Sequence, residues 1–361
     1  MSNSIRIVEV RVRAVEAPMP RPHRTASGVI DIAPLVLPDI VTDAGVVGHS
    51  MVFSYFTLAL KPLAALTQNL DRLLIGEELV PQQIAAKLAA NFRLLGPQGL
   101  VGIAGSAIDM AVWDALARHK EMSLARLLGA APRPLRAYSN LGYDGAVECA
   151  RQAEAFAKAG RRGVKAKIGY ATVEEDLEVL RSVRSAVGPD LAVMADYNQS
   201  LGITEALERC RRLDGEGLTW IEEPVRADEY QQLARITAAT QTPIQSGENW
   251  WGPNDLMKAV AAGSTDYVMP DIIKIGGVTG WRQVAAIAEL HSKLVSNHIF
   301  PEVSAQLMTA TPTAGWLEYE DWFQSVVLDP IQAPDGYVQV GDNPGSGLEW
   351  DESAVERYRV L

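Results

Sequence analysis

Cysteine and histidine are scarce in this chain, which has two cysteines and five histidines among 361 residues. Disulfide frameworks and zinc clusters need several such residues at characteristic spacings. Neither Cys149 nor Cys210 lies in a pattern of that kind. Both therefore read as reduced thiols, and we expect a cytoplasmic protein without disulfides or structural zinc.

Basic charge and long apolar runs are also in short supply. Lysine and arginine number 33 against 44 acidic residues, so the formal net charge is −11. Because proteins that bind phosphate backbones need a basic face, we expect no nucleic-acid partner. No uninterrupted apolar run approaches the roughly eighteen residues of a membrane span. Early charges such as Arg6 and Glu9 interrupt any secretory signal. The sequence predicts no membrane partner.

The hydrophobic pattern changes along the chain. Residues 5–60 read as strands broken by turns, and helical periodicity begins near Leu60, so the first third resembles an α+β unit. From about Pro134, short apolar runs alternate with helical stretches. Such alternation is typical of a parallel sheet with helical crossovers, either an open doubly wound sheet or a closed barrel.

A charged residue ends nearly every predicted strand in this second part, at intervals of 20 to 29 residues. The C-terminal ends of the strands of a parallel barrel meet at one mouth, whereas an open sheet spreads them along an edge. For each position alone, a helix cap or a solvated loop residue is the simpler interpretation. Together they favour the barrel. The residues are Lys167, Asp196, Glu222, Glu248, Asp271, His298 and Glu318.

Three of these acids, Asp196, Glu222 and Glu248, follow three consecutive predicted strands. Three carboxylates supply the oxygen ligands that a hard divalent cation prefers, and the scarcity of thiols and imidazoles favours Mg²⁺, or alternatively Mn²⁺, over zinc. Glu223 adjoins Glu222, but strand alternation is expected to point it to the other side.

Two further groupings have the chemistry of acid–base catalysis. Lys165 and Lys167 share one face of a predicted strand, in apolar surroundings that favour an interior position over a solvated one. A lysine crowded by a second cation and a metal is expected to have a lowered pKa and to serve as a base. Asp271 and His298 end consecutive strands, where a carboxylate would orient an imidazole and support its protonated form.

Seven segments of the sequence together resemble the mandelate racemase subgroup of the enolase superfamily, and the resemblance extends over essentially the whole chain. It implies an α/β fold, a modified TIM barrel (β/α)7β with an N-terminal α+β capping domain. Residues 1–130 would form the capping domain, 131–325 the barrel, and 326–361 a C-terminal segment that packs back on the cap. The segments are Lys165-Ala166-Lys167, Asp196-Tyr197-Asn198, Trp220-Ile221-Glu222-Glu223-Pro224, Gly247-Glu248-Asn249, Asp271, Lys274-Ile275-Gly276-Gly277 and His298.

The resemblance also implies roles for individual residues. Asp196, Glu222 and Glu248 would bind Mg²⁺. Lys167 would be the base on one face of the substrate α-carbon, and His298, paired with Asp271, the base on the other. Lys165 and Glu318 would contact the substrate carboxylate, and Glu318, if protonated, would donate a hydrogen bond to the developing charge. The implied substrate-binding residues are Asn140, Asn198, Lys274, Tyr55, His23 and Ile30.

The implied activity is Mg²⁺-dependent removal of the α-proton of a carboxylate through a stabilised enolate. A base on each face predicts a racemase or epimerase of a 2-hydroxy acid. An acid-sugar dehydratase, in which protonated His298 expels a β-hydroxyl, is the alternative, and a carboxylate-binding protein without turnover is a third interpretation. The resemblance further implies a homo-oligomer, an octamer.

The expected specificity loop departs from the subgroup because His23 and Ser27 stand at positions that are apolar in its namesake enzyme, as does Glu320 after Glu318. Two interpretations are open. Either these side chains face solvent, or the substrate is more polar than mandelate.

Overall fold

The computed structural model describes residues 4–25 and 28–361. Its strands are β1 (Ile7–Thr25), β2 (Gly28–Thr42), β3 (Val47–His49), β4 (Val52–Phe53), β5 (Leu135–Asn140), β6 (Gly163–Lys167), β7 (Ala192–Asp196), β8 (Ile221–Glu222), β9 (Ile244–Ser246), β10 (Tyr267–Val268), β11 (Leu294–Val295), β12 (Leu317–Glu318) and β13 (Tyr337–Val338). Its helices are α1 (Thr57–Asn69), α2 (Asp71–Leu74), α3 (Pro81–Asn91), α4 (Gly99–His119), α5 (Leu124–Leu127), α6 (Gly145–Lys158), α7 (Val173–Val187), α8 (Ile203–Leu213), α9 (Tyr230–Thr237), α10 (Pro253–Ala262), α11 (Gly277–Leu290), α12 (Pro301–Thr309) and α13 (Glu352–Tyr358).

The N-terminal part is a four-stranded antiparallel sheet packed against helices. Its strand order is β1-β2-β3, and β4 also pairs with β2. The β1–β2 hairpin is long and brings His23 opposite Ile30 near its tip. Residues Ala33–Ile40 of β2 are buried throughout, because helices cover this stretch of the strand. The hairpin tip is thus the part of the sheet that extends beyond its own core.

Helix α4 lies at the centre of this part and is buried on nearly all sides. By length and composition alone it could cross a membrane, but 72% of its most apolar window is buried inside the fold. A helix that is apolar all round is typical of a buried core element.

The second part is the predicted barrel. Eight parallel strands follow the order β11-β10-β9-β8-β7-β6-β5-β12, and a parallel bridge between Val295 and Ala314 links the two ends of that path. Helices alternate with the strands, as the hydrophobic pattern predicts. The fold class is therefore confirmed as a modified TIM barrel with an N-terminal α+β domain.

The C-terminal segment returns to the N-terminal sheet. Val360 donates a backbone hydrogen bond to Ala14, and the indole of Trp350 donates to Asp39 on β2. The domain boundaries at residues 130 and 325 stay predictions. A continuous hydrophobic core nevertheless joins the N-terminal sheet to the barrel, so the two parts are held in a fixed relation at the mouth.

Candidate active site

The three predicted metal ligands meet at the C-terminal end of the barrel strands. Asp196 ends β7, Glu222 ends β8, and Glu248 follows β9 by two residues. One carboxylate oxygen from each lies within 4.8 Å of the others, and all three residues are buried. Gly247 has a φ of 142°, and a Cβ there would lie 2.8 Å from the Met269 carbonyl oxygen. A glycine is therefore required where the chain turns Glu248 toward the cluster.

This cluster has the donor chemistry of a magnesium site. Burial raises the pKa of Glu222 well above its usual range, and the neighbouring carboxylates raise it further. Oε2 of Glu248 is buried without a hydrogen-bond partner among the described residues. Buried carboxylates that face each other need a compensating cation, and an all-oxygen set suits Mg²⁺.

Glu223 is outside the three-carboxylate cluster, as expected, but strand alternation does not describe its position. The chain leaves the strand after Glu222, and Glu223 has a φ of 35°, which ends strand alternation. Its Oε2 accepts a hydrogen bond from Asn249 Nδ2 at 2.7 Å, while Asn249 Oδ1 accepts one from Lys274 at 2.9 Å. Burial and the charge of Glu248 raise the pKa of Glu223 to about 8. Glu223 and Asn249 thus orient Lys274, a link that strand periodicity could not reveal.

The two lysines of β6 lie inside the barrel among these acids. Lys165 Nζ is 2.7 Å from Glu222 Oε1, 3.0 Å from Glu318 Oε1 and 3.7 Å from Asp196 Oδ2. Lys167 Nζ donates to Asp196 Oδ2 at 2.6 Å. Burial by itself would lower the pKa of Lys167, but the Asp196 carboxylate outweighs it and raises the pKa. The sequence did not show this direct ion pair, and the lowered pKa expected for a lysine beside a bound metal stays a prediction.

Asp271 and His298 form the predicted pair. His298 Nδ1 lies 2.7 Å from Asp271 Oδ2, and its Nε2 lies 3.4 Å from Glu248 Oε2. Burial would lower the pKa of His298, but the charges of Glu248 and Asp271 outweigh it and raise the pKa. The geometry favours the protonated imidazole and leaves Nε2 as the nitrogen that faces the three-carboxylate cluster.

Glu318 lies among hydrogen-bond donors in this structure, and its hydrogen bond to the developing charge of a substrate stays a prediction. Its carboxylate accepts hydrogen bonds from Asn140 Nδ2 at 2.8 Å, from the backbone N–H of Ile299 at 2.7 Å and from the Tyr138 hydroxyl at 3.2 Å. Burial would raise the pKa of Glu318, but the charges of Lys165 and His298 and the hydrogen bonds from Ile299 and Asn140 lower it to about 2. Tyr138, which the sequence did not single out, donates a further hydrogen bond to this carboxylate.

The remaining predicted substrate contacts are close to this group. The backbone N–H of Asn198 donates to Asp196 Oδ1 at 2.8 Å. Lys274 Nζ lies 4.7 Å from the centre of the Tyr55 ring, and the Tyr55 hydroxyl donates to Asp271 at 2.9 Å. Ile30 is partly buried opposite His23 in the hairpin.

The polar residues of the expected specificity region divide into buried and exposed ones. His23 is 8% exposed and its ring lies 4.7 Å from that of Trp322. Burial, and then the nearby Lys167 ammonium, lower the pKa of His23 to about 3, so this imidazole is neutral. The side chain of Arg24 is 61% exposed, and Ser27 lies outside the described residues. The solvent-facing interpretation is therefore wrong for His23.

Glu320 is buried as well, with 2% of its surface exposed. One oxygen accepts the backbone N–H of Asn140 at 2.8 Å. The other, Oε2, has no hydrogen-bond partner in the part of the chain described, although Arg21 Nη2 lies 3.8 Å away. Burial raises the pKa of Glu320 to about 7. An acid with an unused oxygen is thus enclosed beside the site.

Comparisons with known proteins agree with this architecture. Residues 7–129 match the mandelate racemase / muconate lactonizing enzyme N-terminal domain, and residues 148–354 match the enolase C-terminal domain-like family. The chain belongs to the mandelate racemase / muconate lactonizing enzyme family of the enolase superfamily.

Individual relatives cover nearly all of the chain. An enolase from Bradyrhizobium, solved with magnesium and mandelic acid, is 44% identical, with 100% of both chains covered and a TM-score of 0.96. The D-galactarolactone cycloisomerase of Agrobacterium fabrum is 32% identical over 387 aligned residues, which cover 99% of each protein. An L-talarate dehydratase from Polaromonas sp. JS666, solved with magnesium and L-glucarate, is 27% identical with a TM-score of 0.92, covering 99% of this chain and 98% of that one.

Proposed function

We propose that this protein is a Mg²⁺-dependent racemase or epimerase of a 2-hydroxy carboxylate. The observation that carries the proposal is the placement of two candidate bases. Lys167 ends β6 and His298 follows β11, strands separated by four others on one side of the barrel and by two on the other. Each base contacts the acidic cluster from its own side, Lys167 at Asp196 and His298 at Glu248. A substrate bound at the cluster would have one base on each face of its α-carbon.

The charges of the site suit the removal of an α-proton. A bound Mg²⁺, held by Asp196, Glu222 and Glu248, would supply positive charge toward the carboxylate oxygens of the substrate. The ammonium of Lys165 would add fixed positive charge where the enolate develops, and Glu318 holds that ammonium in place at 3.0 Å.

Two groups of the chain would transfer the α-proton. Lys167 Nζ would exchange a proton with the α-carbon on one face and His298 Nε2 on the other. Because Asp271 holds Nδ1 of His298 at 2.7 Å, the imidazole keeps Nε2 as the nitrogen that exchanges. Removal by one base and return by the other inverts the configuration. The mandelic acid in the Bradyrhizobium relative supports a 2-hydroxy acid as substrate.

The test is proton NMR in D₂O with magnesium and a panel of 2-hydroxy acids, each enantiomer separately. Racemisation predicts loss of the α-proton signal together with formation of the opposite enantiomer. Absence of α-exchange in every acid of a panel that spans aryl, alkyl and polyhydroxylated members would refute the proposal. An EDTA-treated sample is the matched control and is expected to show no exchange.

Dehydration of an acid sugar is a second candidate, which the buried polar groups favour. Neutral His23 and the unused oxygen of Glu320 would each gain a partner from a hydroxylated substrate, and an apolar ring would leave them unsatisfied. Protonated His298 could then donate its proton to a leaving β-hydroxyl. The sugar-acid dehydratase among the relatives supports this candidate. In the same NMR experiment a 2-keto product without the opposite enantiomer identifies dehydration.

A further inference from the structure

Asp271, the carboxylate that holds His298, is itself fixed at both oxygens. Its Oδ1 accepts the backbone N–H of Ile273 at 2.8 Å. Its Oδ2 accepts two hydrogen bonds, from the Tyr55 hydroxyl at 2.9 Å and from His298 Nδ1 at 2.7 Å. The orientation of the imidazole thus depends on a carboxylate oxygen, Oδ2 of Asp271, that also accepts a hydrogen bond from a tyrosine.

That tyrosine comes from the N-terminal part of the chain, 216 residues away from Asp271 in sequence. It follows β4 with a φ of 62°, a left-handed conformation that is uncommon for residues other than glycine. Its ring lies 4.9 Å from that of Phe53 and 4.7 Å from Lys274 Nζ. A strained backbone persists where surrounding contacts hold it, and here those contacts aim the hydroxyl at Asp271.

The other candidate base has a separate partner. Lys167 Nζ donates to Asp196, and among the described residues no hydrogen bond or ring contact joins Tyr55 to either of them. A change at the Tyr55 hydroxyl should therefore reach the proton transfer on one face of the substrate and not on the other.

We infer that Tyr55 is a positioning residue for His298, contributed by the N-terminal domain to one of the two proton-transfer faces. The inference rests on the proposed two-base function. Tyr55 acts through Asp271, because its hydroxyl keeps Oδ2 aligned with Nδ1 of His298. The barrel thus supplies the base, and the N-terminal domain supplies a residue that positions it.

The test is Tyr55→Phe, which keeps the ring against Phe53 and Lys274 and removes only the hydroxyl. We follow α-proton exchange in D₂O for each enantiomer, with His298→Asn identifying the enantiomer that His298 deprotonates. Partners that fix the ring of a metal-binding histidine contribute about 10–100-fold to metal affinity or activity, and we expect the lower end of that range for a hydroxyl that acts on His298 through Asp271. Tyr55→Phe should lower the initial rate of α-proton exchange of that enantiomer by about tenfold and leave the exchange rate of the other enantiomer within about twofold. The values of kcat/KM for racemisation should fall equally in the two directions, because the two enantiomers are equally stable. Equal losses of α-proton exchange for both enantiomers, or no loss, would overturn the inference.

Tyr230→Phe is the matched control. Tyr230 lies on α9, outside the site, and its hydroxyl also interacts with an aspartate, Asp255 on α10. It should leave both enantiomers within about twofold of the unchanged protein. A selective loss in Tyr230→Phe would count against the inference, since it would show that a remote tyrosine hydroxyl gives the same signature.

A second readout does not depend on turnover. In ¹⁵N-labelled, magnesium-loaded protein, the His298 Nδ1–H resonance reports its bond to Asp271. His49 provides an internal reference, because its Nδ1 lies 2.7 Å from Asp39, which also accepts the Trp350 indole N–H. Tyr55→Phe should shift or broaden the His298 resonance and leave that of His49 unchanged. An unchanged His298 resonance overturns the inference, whether or not any acid is turned over. Absence of exchange in every tested acid would instead refute the proposed function.

Discussion

Replacement of Lys165 by methionine tests how the buried charges of the site are balanced. Lys165 is fully buried and lies within 4 Å of three carboxylates, at 2.7, 3.0 and 3.7 Å. Methionine keeps an unbranched side chain of similar length and removes the charge. Glu222, Glu318 and Asp196 would then face one another, with Lys167 still paired with Asp196.

Removing one partner of a buried ion pair costs about 3–5 kcal/mol because the remaining charge stays buried. Unfolding of a protein of 361 residues has an entropy of about 0.76 kcal/mol/K, so about 1.3 °C of melting temperature is lost per kcal/mol and the expected decrease is about 4–7 °C. Magnesium bound at Asp196 and Glu222 would offset part of the repulsion between these buried carboxylates. The decrease should therefore be smaller with saturating magnesium than with EDTA.

Differential scanning calorimetry with magnesium and with EDTA measures both quantities. Lys158→Met is the control, since that ammonium is 72% exposed although it also lies 2.8 Å from a carboxylate, Glu154. A solvated pair of this kind contributes at most about 1 kcal/mol. If Lys165→Met melts with the unchanged protein, or if its deficit is the same with and without magnesium, the charge balance described here is wrong.

Two further predictions concern the polar residues beside the site. His23 has a pKa of about 3 in the fold against 6.5 for the free side chain. Between these two pH values the unfolded chain binds one more proton than the folded chain. The free energy of unfolding therefore decreases as the pH drops, by up to about 1.4 kcal/mol per pH unit. His23→Phe should flatten the acid side of a urea-unfolding profile between pH 6.5 and pH 4 relative to the unchanged protein; parallel profiles would contradict the burial argument. Glu320→Leu should shift the ratio of kcat/KM roughly tenfold from hydroxylated toward aryl 2-hydroxy acids, since a lost polar contact and a gained apolar one both act in that direction. An unchanged ratio would exclude Glu320 from substrate selection.

The acidic cluster could be predicted from the sequence for a simple physical reason. In a parallel barrel all C-terminal strand ends converge, so acids that follow successive strands at regular spacing must meet. Asp196, Glu222 and Glu248 do so within 4.8 Å. The interior position of Lys165 and Lys167 could also be predicted, because the two residues share one face of a strand in apolar surroundings.

What the sequence could not predict depends on contacts between distant segments or on a local departure from regular structure. Tyr55 reaches Asp271 across 216 residues, which no strand or helix period encodes. Glu223 turns with a positive φ after its strand ends. The ion pairs of Lys165 with Glu318 and of Lys167 with Asp196 have distances that only the folded chain defines.

Enantiomer-resolved deuterium exchange in Lys167→Ala tests the two-base arrangement most directly. With His298 and Asp271 still 2.7 Å apart, the variant should keep exchanging the α-proton of one enantiomer in D₂O and lose exchange of the other by several orders of magnitude. It should form no opposite enantiomer, because inversion requires both bases. Equal loss of exchange for both enantiomers, in a variant that is folded and still binds magnesium, would contradict the account.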